Sequence, residues 1–295
     1  MDSLESAFLA KARKLNTKRQ EQLMKRLENN RAALEKAYED GGKKAVEKLM
    51  ADIRIPSAKE WKKNIQSLLT NSFKAGIMRA FLEGQRLKKL YKFAESEYDW
   101  SVELSTEWEA VIPPEAEEYI VNYAYSVGVL TDETIRDQIQ YALLDNLYNG
   151  MRGEDLIAAL KETVDTWLSD SHAKTIARTE TAKMFNYGRL AEYTSKENDG
   201  FIVAFQYDSI VDSRTTTLCR SLDGMIVSAK NISVLMKYTP PNHYNCRASW
   251  LPITKFEEWE ENFDTSHEPQ KGFTSNPPKI LTNQTGSLVR KKKKD

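Results

Sequence analysis

Residues 207–253 read YDSIVDSRTTTLCRSLDGMIVSAKNISVLMKYTPPNHYNCRASWLPI, and this stretch decides how the rest of the chain is read. Both cysteines, Cys219 and Cys246, fall inside it, together with His243, the Asp223-Gly224 pair and Pro240-Pro241. Asp212, Arg214 and Thr215 lead into Cys219, and Asn245, Cys246 and Arg247 close the segment. So many polar and reactive side chains in one window describe a compact, loop-rich motif. Hydrogen bonds, a metal or a sulfur link are the ways to pin it.

The flanking sequence supplies strands and a helix. Phe201–Tyr207 is β-branched and aromatic, which is strand chemistry. Asp223-Gly224 reads as a tight turn into a short strand at Met225-Ile226-Val227, and Ser249-Trp250-Leu251 as a third strand. Upstream, Ser169-Asp170-Ser171 caps a helix that carries Arg178 and Glu180 and runs to about Ser195. The expected fold is therefore α+β: a mainly helical N-terminal two-thirds, then a small α+β domain with a short sheet, then a flexible basic tail.

Four motifs occur in a set order: Ala177-Arg178-Thr179-Glu180-Thr181, Asn186-Tyr187-Gly188, Asp212-Ser213-Arg214-Thr215 with Cys219, and Pro240-Pro241-Asn242-His243-Tyr244-Asn245-Cys246-Arg247. Over residues 170–253 this resembles the C-terminal domain of the phage head-morphogenesis family, the minor head proteins typified by protein F of phage Mu. The order of the four makes the match more specific than any one of them. Where the family commonly adds a cysteine after the arginine, this chain has Ala248. On the matching positions the resemblance assigns a structural motif to Arg178, Glu180, Asn186, Gly188, Asp212, Arg214, Thr215, Asp223, Gly224, Pro241, Asn245 and Arg247.

What the resemblance implies is a non-enzymatic minor head protein of a tailed phage. It implies assembly into the procapsid at the portal vertex, with the portal protein as partner and a major capsid or scaffolding protein as a further one. A role in DNA packaging or ejection goes with that place. The implied location is the interior of the virion head near the portal, and the host cytoplasm during assembly.

Cys219, His243 and Cys246 are candidate ligands of a metal, since two thiolates and an imidazole suit tetrahedral zinc, and Asp212 or Asp208 is a candidate fourth ligand. Cys219 has no second cysteine two to four residues away, however, and the competing reading is two small buried apolar side chains beside a hydrogen-bonded loop histidine. On that reading there is no cofactor. A thiol nucleophile built from Cys219, His243 and Asp212 or Asn245 is a further alternative, without the local signatures of cysteine hydrolases. Arg178 and Glu180, two apart, face different sides of their helix and do not pair with each other. Asp212 with Arg214 is expected to brace the loop, and Arg247 to clamp a carboxylate such as Glu180 or Asp223.

The chain has 295 residues and a formal net charge of zero, but the charge is partitioned. Residues 1–92 carry 22 Lys/Arg against 11 Asp/Glu, residues 93–170 carry 3 against 18, and residues 171–295 carry 18 against 14. With the changes in pattern, this divides the chain into a basic helical arm (1–95), an acidic helical middle (96–170), the α+β domain (171–262) and the tail (263–295). The basic arm is a candidate nucleic-acid or acidic-partner surface, but helices that lie against the acidic middle or present solvated faces are the expected reading, because acidic residues are interspersed in it and no DNA-reading motif is present. Arg290, Lys291, Lys292, Lys293 and Lys294 are five adjacent cations, the candidate contact to double-stranded DNA through its phosphates, without sequence preference. No stretch approaches the length of a membrane span, MDSLESAFLAKARK lacks the apolar core of a signal peptide, and two cysteines suit a reducing compartment. A rival class, a thiol- or metal-dependent enzyme or toxin-like module, is disfavoured because about 40 residues after position 253 are too few for an added catalytic domain, and a second rival is a stand-alone non-specific DNA-binding protein.

In the helical part, Leu23, Leu27, Leu34 and Tyr38 recur at helical steps, with Asn29-Asn30 and Gly41-Gly42 as candidate interruptions. A helix starting after Pro56-Ser57 is expected to reach about Phe93, with a candidate break at Gly76 or Gly84. Trp100, Val102 and Leu104 alternate as in a short strand. Further helices are expected from Pro113-Pro114 to Gly128, from Thr131-Asp132-Glu133 to Asn149-Gly150, and from Gly153 to Trp167.

Overall fold

The structure is a computed structural model, and it describes residues 2–93, 108–273 and 288–292. Helices α1 (Asp2–Asp52), α2 (Ala58–Phe93), α3 (Pro114–Tyr148), α4 (Gly153–Trp167) and α5 (Asp170–Tyr193) account for most of it. Strand β1 (Trp108–Ala110) precedes α3; β2 (Ile202–Asp208), α6 (Thr217–Leu222), β3 (Ile226–Ser228), α7 (Ile232–Tyr238), β4 (Ser249–Thr254) and β5 (Val289–Lys291) follow α5. The mainly helical chain with a small C-terminal sheet is the α+β class expected from sequence. No helix among the described residues is long and apolar enough to cross a membrane. The chain divides into a helical unit (Asp2–Leu68 and Val121–Ala177) and an α+β unit (Leu69–Ile120 and Arg178–Asp295), the divisions falling within α2, α3 and α5.

In the helical unit, apolar residues repeat at three- and four-residue steps and meet in one core. Leu23, Leu27, Leu34, Val46 and Met50 of α1 pack with Ile135, Ile139, Leu143 and Leu147 of α3 and Leu156, Leu160 and Val164 of α4. One charge is inside. Arg19 is fully buried, ion-paired with Asp132, hydrogen-bonded to the Pro56 carbonyl and placed 5.0 Å over the Trp61 ring. Burial weakens the guanidinium's hold on its proton and raises the Asp132 carboxyl, each against the pull of the other. With Arg13–Asp170, this pair sets part of the basic arm against acidic residues of the middle segment, one of the two arrangements open to the charge blocks.

Three expected helix ends are absent. Helix α1 runs through Asn29-Asn30 and kinks only at Gly42, whose φ of 60° is open to glycine. Helix α3 runs through Gly128 and Thr131 without a cap between them: the Thr131 hydroxyl donates to the Val127 carbonyl inside the helix, so its capping chemistry is spent on its own turn. Gly76 does not break α2. A Cβ there would stand 2.1 Å from the Phe185 carbonyl oxygen, and one on Gly188 of α5 would stand 2.2 Å from the Phe73 carbonyl oxygen. The two glycines mark the crossing of α2 and α5 at backbone contact within the α+β unit.

In that unit the antiparallel sheet has the order β3-β2-β4, with Phe205 opposite Val227 on one side and Pro252 on the other. Phe205, Tyr207, Val227 and Trp250 pack with Leu190 and Tyr193 of α5, Leu222 of α6 and Leu235 and Tyr238 of α7. The alternation around Trp100, Val102 and Leu104 lies outside the described residues. A second, two-stranded sheet pairs β1 with β5, Trp108 opposite Lys291. Residues 289–291 of the basic tail are therefore a strand, a correction to the expectation of a wholly flexible tail: the Glu109 carboxylate and the Trp108 ring give its cations partners.

Candidate functional site

Segments from four parts of the α+β unit converge beside β2. The expected Asp-Gly turn is closed by the Met225 amide donating to the Leu222 carbonyl at 3.0 Å, with Gly224 at a φ of 79°, and the Gly224 amide ties the turn to the Tyr207 carbonyl, at the end of the buried run of β2, at 2.9 Å. Asp223 turns back to accept from the Ser209 amide at 2.8 Å, and the Ser209 hydroxyl donates to the Cys219 carbonyl at 2.7 Å. Thr216 caps α6 by accepting from the Cys219 amide, which fixes where the Cys219 side chain leaves the helix.

The loop before α6 is held by Asp212. Its carboxylate takes both guanidinium nitrogens of Arg247, at 2.8 and 2.6 Å, and accepts from the Arg214 amide at 2.8 Å. The Arg214 guanidinium stands farther off, at 3.8 Å, while the Asp212 amide donates to the Thr215 hydroxyl. These donors, Arg247 first, hold the Asp212 carboxyl well below the usual carboxylate range. The partner of Arg247 is thus Asp212, a correction to the expected Glu180 or Asp223. Asp223 is already used by Ser209, and Glu180 lies buried on α5; burial, with the Glu180 carboxylate adding to it, pushes the Tyr119 hydroxyl up to about 12.

The second half of the site is the loop after α7. Asn242, fully buried, donates to the Tyr207 hydroxyl at 2.8 Å and to the Tyr238 carbonyl at 2.9 Å. Pro241 beside it is buried, joined to Pro240 by a cis bond. His243 to Cys246 is a turn in which the Cys246 amide donates back to the His243 carbonyl and Asn245 has a φ of 57°. The Asn245 amide donates to the Thr179 hydroxyl of α5, and Asn186 of α5 donates to the Ala248 carbonyl. Arg178 is on the exposed side of the same helix and Glu180 on the buried side, as their spacing requires.

Cys219, His243 and Cys246 come together here. Cys219 Sγ is 3.1 Å from His243 Nε2 and 3.7 Å from Cys246 Sγ, both thiols are free, and the Tyr207 hydroxyl lies 3.5 Å from Cys219 Sγ. The Cys246 thiol, then His243 and Tyr207, pull the Cys219 thiol down from its ordinary value despite burial, and the Cys246 thiol is pushed up in return. The contact with Cys219 raises the His243 imidazole. A cleft of about 20 Å³ opens beside these atoms, lined in part by Ser209, Thr215, Thr216, Asn245 and Arg247.

Sequence reasoning missed Tyr207, Ser209, Thr216 and Asn242. Thr216 was open to discovery as a capping residue three positions before Cys219. The others act through side-chain contacts across 10 to 35 residues, which no local pattern carries. Of the tail cations, Arg290 pairs with Glu109 at 2.7 Å and Lys291 lies over Trp108; Lys292 is exposed, and Lys293 and Lys294 lie outside the described residues.

A helix packed with a three-stranded sheet, and two loops locked by Asp212–Arg247 and drawn around two sulfurs and an imidazole, define a small α+β domain of a particular pattern. Residues 137–251 match the family described as Phage Mu protein F like protein, the family the ordered motifs resemble. The match begins earlier than the motifs and takes in the end of α3 and all of α4. No curated protein and no solved structure matches the chain.

Proposed function

We propose that this chain is a minor head protein of a tailed phage that acts in head morphogenesis at the portal vertex. The match to the phage Mu protein F like family over residues 137–251 carries the reading. The site supports it in kind: Asp212, Arg247, Asp223 and Asn242 are spent on one another, on the Tyr207 hydroxyl and on backbone groups, which is the work of a rigid platform. The partner proposed is the portal protein, with major capsid or scaffolding protein as a further contact during procapsid assembly. DNA contact is assigned to the exposed Lys292 and its neighbours Lys293 and Lys294, since Arg290 has a carboxylate partner already.

Co-sedimentation with a purified portal protein tests the first part. Binding in near-stoichiometric amount is the expected result, and a chain that stays in the supernatant, or is missing from purified particles, removes the reading. For the second part, replacing Lys292, Lys293 and Lys294 by Gln should lower the slope of log affinity against log salt by about 3. An unchanged slope would show that the tail does not meet phosphates.

A further inference from the structure

Three soft ligand atoms converge in the α+β unit: Cys219 Sγ, Cys246 Sγ and one ring nitrogen of His243 all lie within 4.8 Å of one another. With metal–sulfur bonds of about 2.3 Å, two thiolates on a tetrahedral zinc ion are separated by about 3.8 Å. The observed sulfur pair, at 3.7 Å, already stands at that spacing. Sulfur and imidazole nitrogen on the same ion are about 3.6 Å apart, so Nε2 has to retreat by about half an ångström from its 3.1 Å contact. His243 is only half-buried and sits at the start of a turn with exposed residues, so the ring has room to do so.

We propose that Cys219, His243 and Cys246 form a zinc site with three protein ligands and a water in the fourth position. The imidazole is set for it. His243 Nδ1 meets the Tyr244 carbonyl at 2.8 Å, and a carbonyl only accepts, so Nδ1 carries the proton and the Nε2 lone pair faces the sulfurs. One turn delivers two ligands, because the bond from the Cys246 amide to the His243 carbonyl and the left-handed Asn245 between them bring positions 243 and 246 together. The third ligand is held by unrelated bonds: the Thr216 cap on the Cys219 amide and the Ser209 hydroxyl on its carbonyl.

The fourth vertex falls to solvent for two reasons. Of the two carboxylates expected from sequence to complete the set, Asp212 is committed to Arg247 by two hydrogen bonds, and Asp208 is exposed and outside the cluster of the other three. The adjoining cleft of about 20 Å³ holds about one water. Charge agrees, since two thiolates cancel the two positive charges of zinc and leave a neutral centre among buried groups. Two sulfurs and one imidazole also exclude magnesium and calcium, which take oxygen ligands. Bound there, the ion ties α6 to the loop between α7 and β4.

The test uses the full chain, purified without chelators or metal-affinity steps. One zinc per chain by elemental analysis is expected. Replacing it by cobalt(II) should give the thiolate charge-transfer band and intense visible bands of a tetrahedral sulfur-bound ion. Cys219→Ser and Cys246→Ser should abolish the cobalt–thiolate bands, and chelation should lower the melting temperature of the natural chain but not of these variants. Should the variants fail to fold, the natural chain decides: after chelation and dialysis, one equivalent of zinc should protect both thiols from iodoacetamide.

Three results would overturn the proposal: zinc content unchanged in Cys219→Ser, no cobalt–thiolate band in the natural chain, or thiols alkylated equally fast with and without zinc. The last would leave a bare thiol–imidazole pair, the arrangement of a cysteine nucleophile. None of these outcomes bears on the portal interaction, which is measured separately.

Discussion

In the helical unit, Leu23, Leu27 and Leu34 meet Ile135, Ile139 and Leu143 by spacing alone; in the α+β unit, Gly76 and Gly188 meet backbone, and Asp212 meets Arg247 at one geometry. Apolar side chains at helical steps tolerate exchange, because volume and pattern are what they contribute. A glycine crossing, a bidentate ion pair or a three-ligand cluster tolerates little, because each depends on an atom at a stated place. The helical unit has one feature of the second kind, the buried Arg19–Asp132 pair. The contrast predicts where single substitutions will hurt.

The largest effect is expected at that pair. Arg19→Met leaves Asp132 without its partner in a buried setting and should cost about 3–5 kcal/mol in urea unfolding. Adding Asp132→Leu should restore most of the loss, since an apolar pair of similar volume fits such sites. A double variant no better than the single one would mean that the pair sets the unit's geometry. Next is Gly188→Ala, whose Cβ has backbone rather than a flexible side chain to displace: about 3 kcal/mol is expected, with Gly76→Ala similar. Either alanine tolerated at full stability would break the account of a close crossing.

Glu192 sharpens the comparison through pH. Burial, with Glu197 adding repulsion, pushes its carboxyl from 4.5 up to about 7. Below pH 4.5 the group is protonated in folded and unfolded chains alike and carries no penalty. As pH rises from 4.5 to 7 the unfolded chain releases its proton first, so stability falls across that window and stays low above it. Glu192→Gln should therefore raise stability at pH 8 by about 2–3 kcal/mol and flatten the profile between those values. Parallel profiles for the two proteins would remove Glu192 from the account. The smallest effect belongs to Asn245, in the left-handed region: Asn245→Ala should cost about 1 kcal/mol and Asn245→Gly close to nothing. Equal costs for both would point to the side chain instead of the backbone.

Much of the architecture was legible beforehand. Helix α4 begins and ends where its pattern says, α2 is helical through Phe93, and the three strands of the sheet sit at the three stretches of strand chemistry. The errors share a cause. Gly128, Thr131, Asn29 and Gly76 carry local signals for a helix end, and each is overridden by neighbours that keep the helix going. Within the site, the order of the motifs identified the participating segments, but the identity of the Arg247 partner was not recoverable. Three carboxylates were available in sequence, and only folding shows that Asp223 is taken by Ser209.

By itself, the sequence determined the class of fold, the partition of charge and the order of the four motifs, and it held both cysteines and His243 in one segment. Those properties follow from composition, periodicity and order along the chain. Tertiary structure alone decided the helix crossing at Gly76 and Gly188, the pairing of β5 with β1, and the convergence of Cys219 on His243 and Cys246 to within hydrogen-bond reach. Each of these joins residues from 24 to about 180 positions apart, and contacts at that range are set by packing and loop closure, on which local propensity has no say.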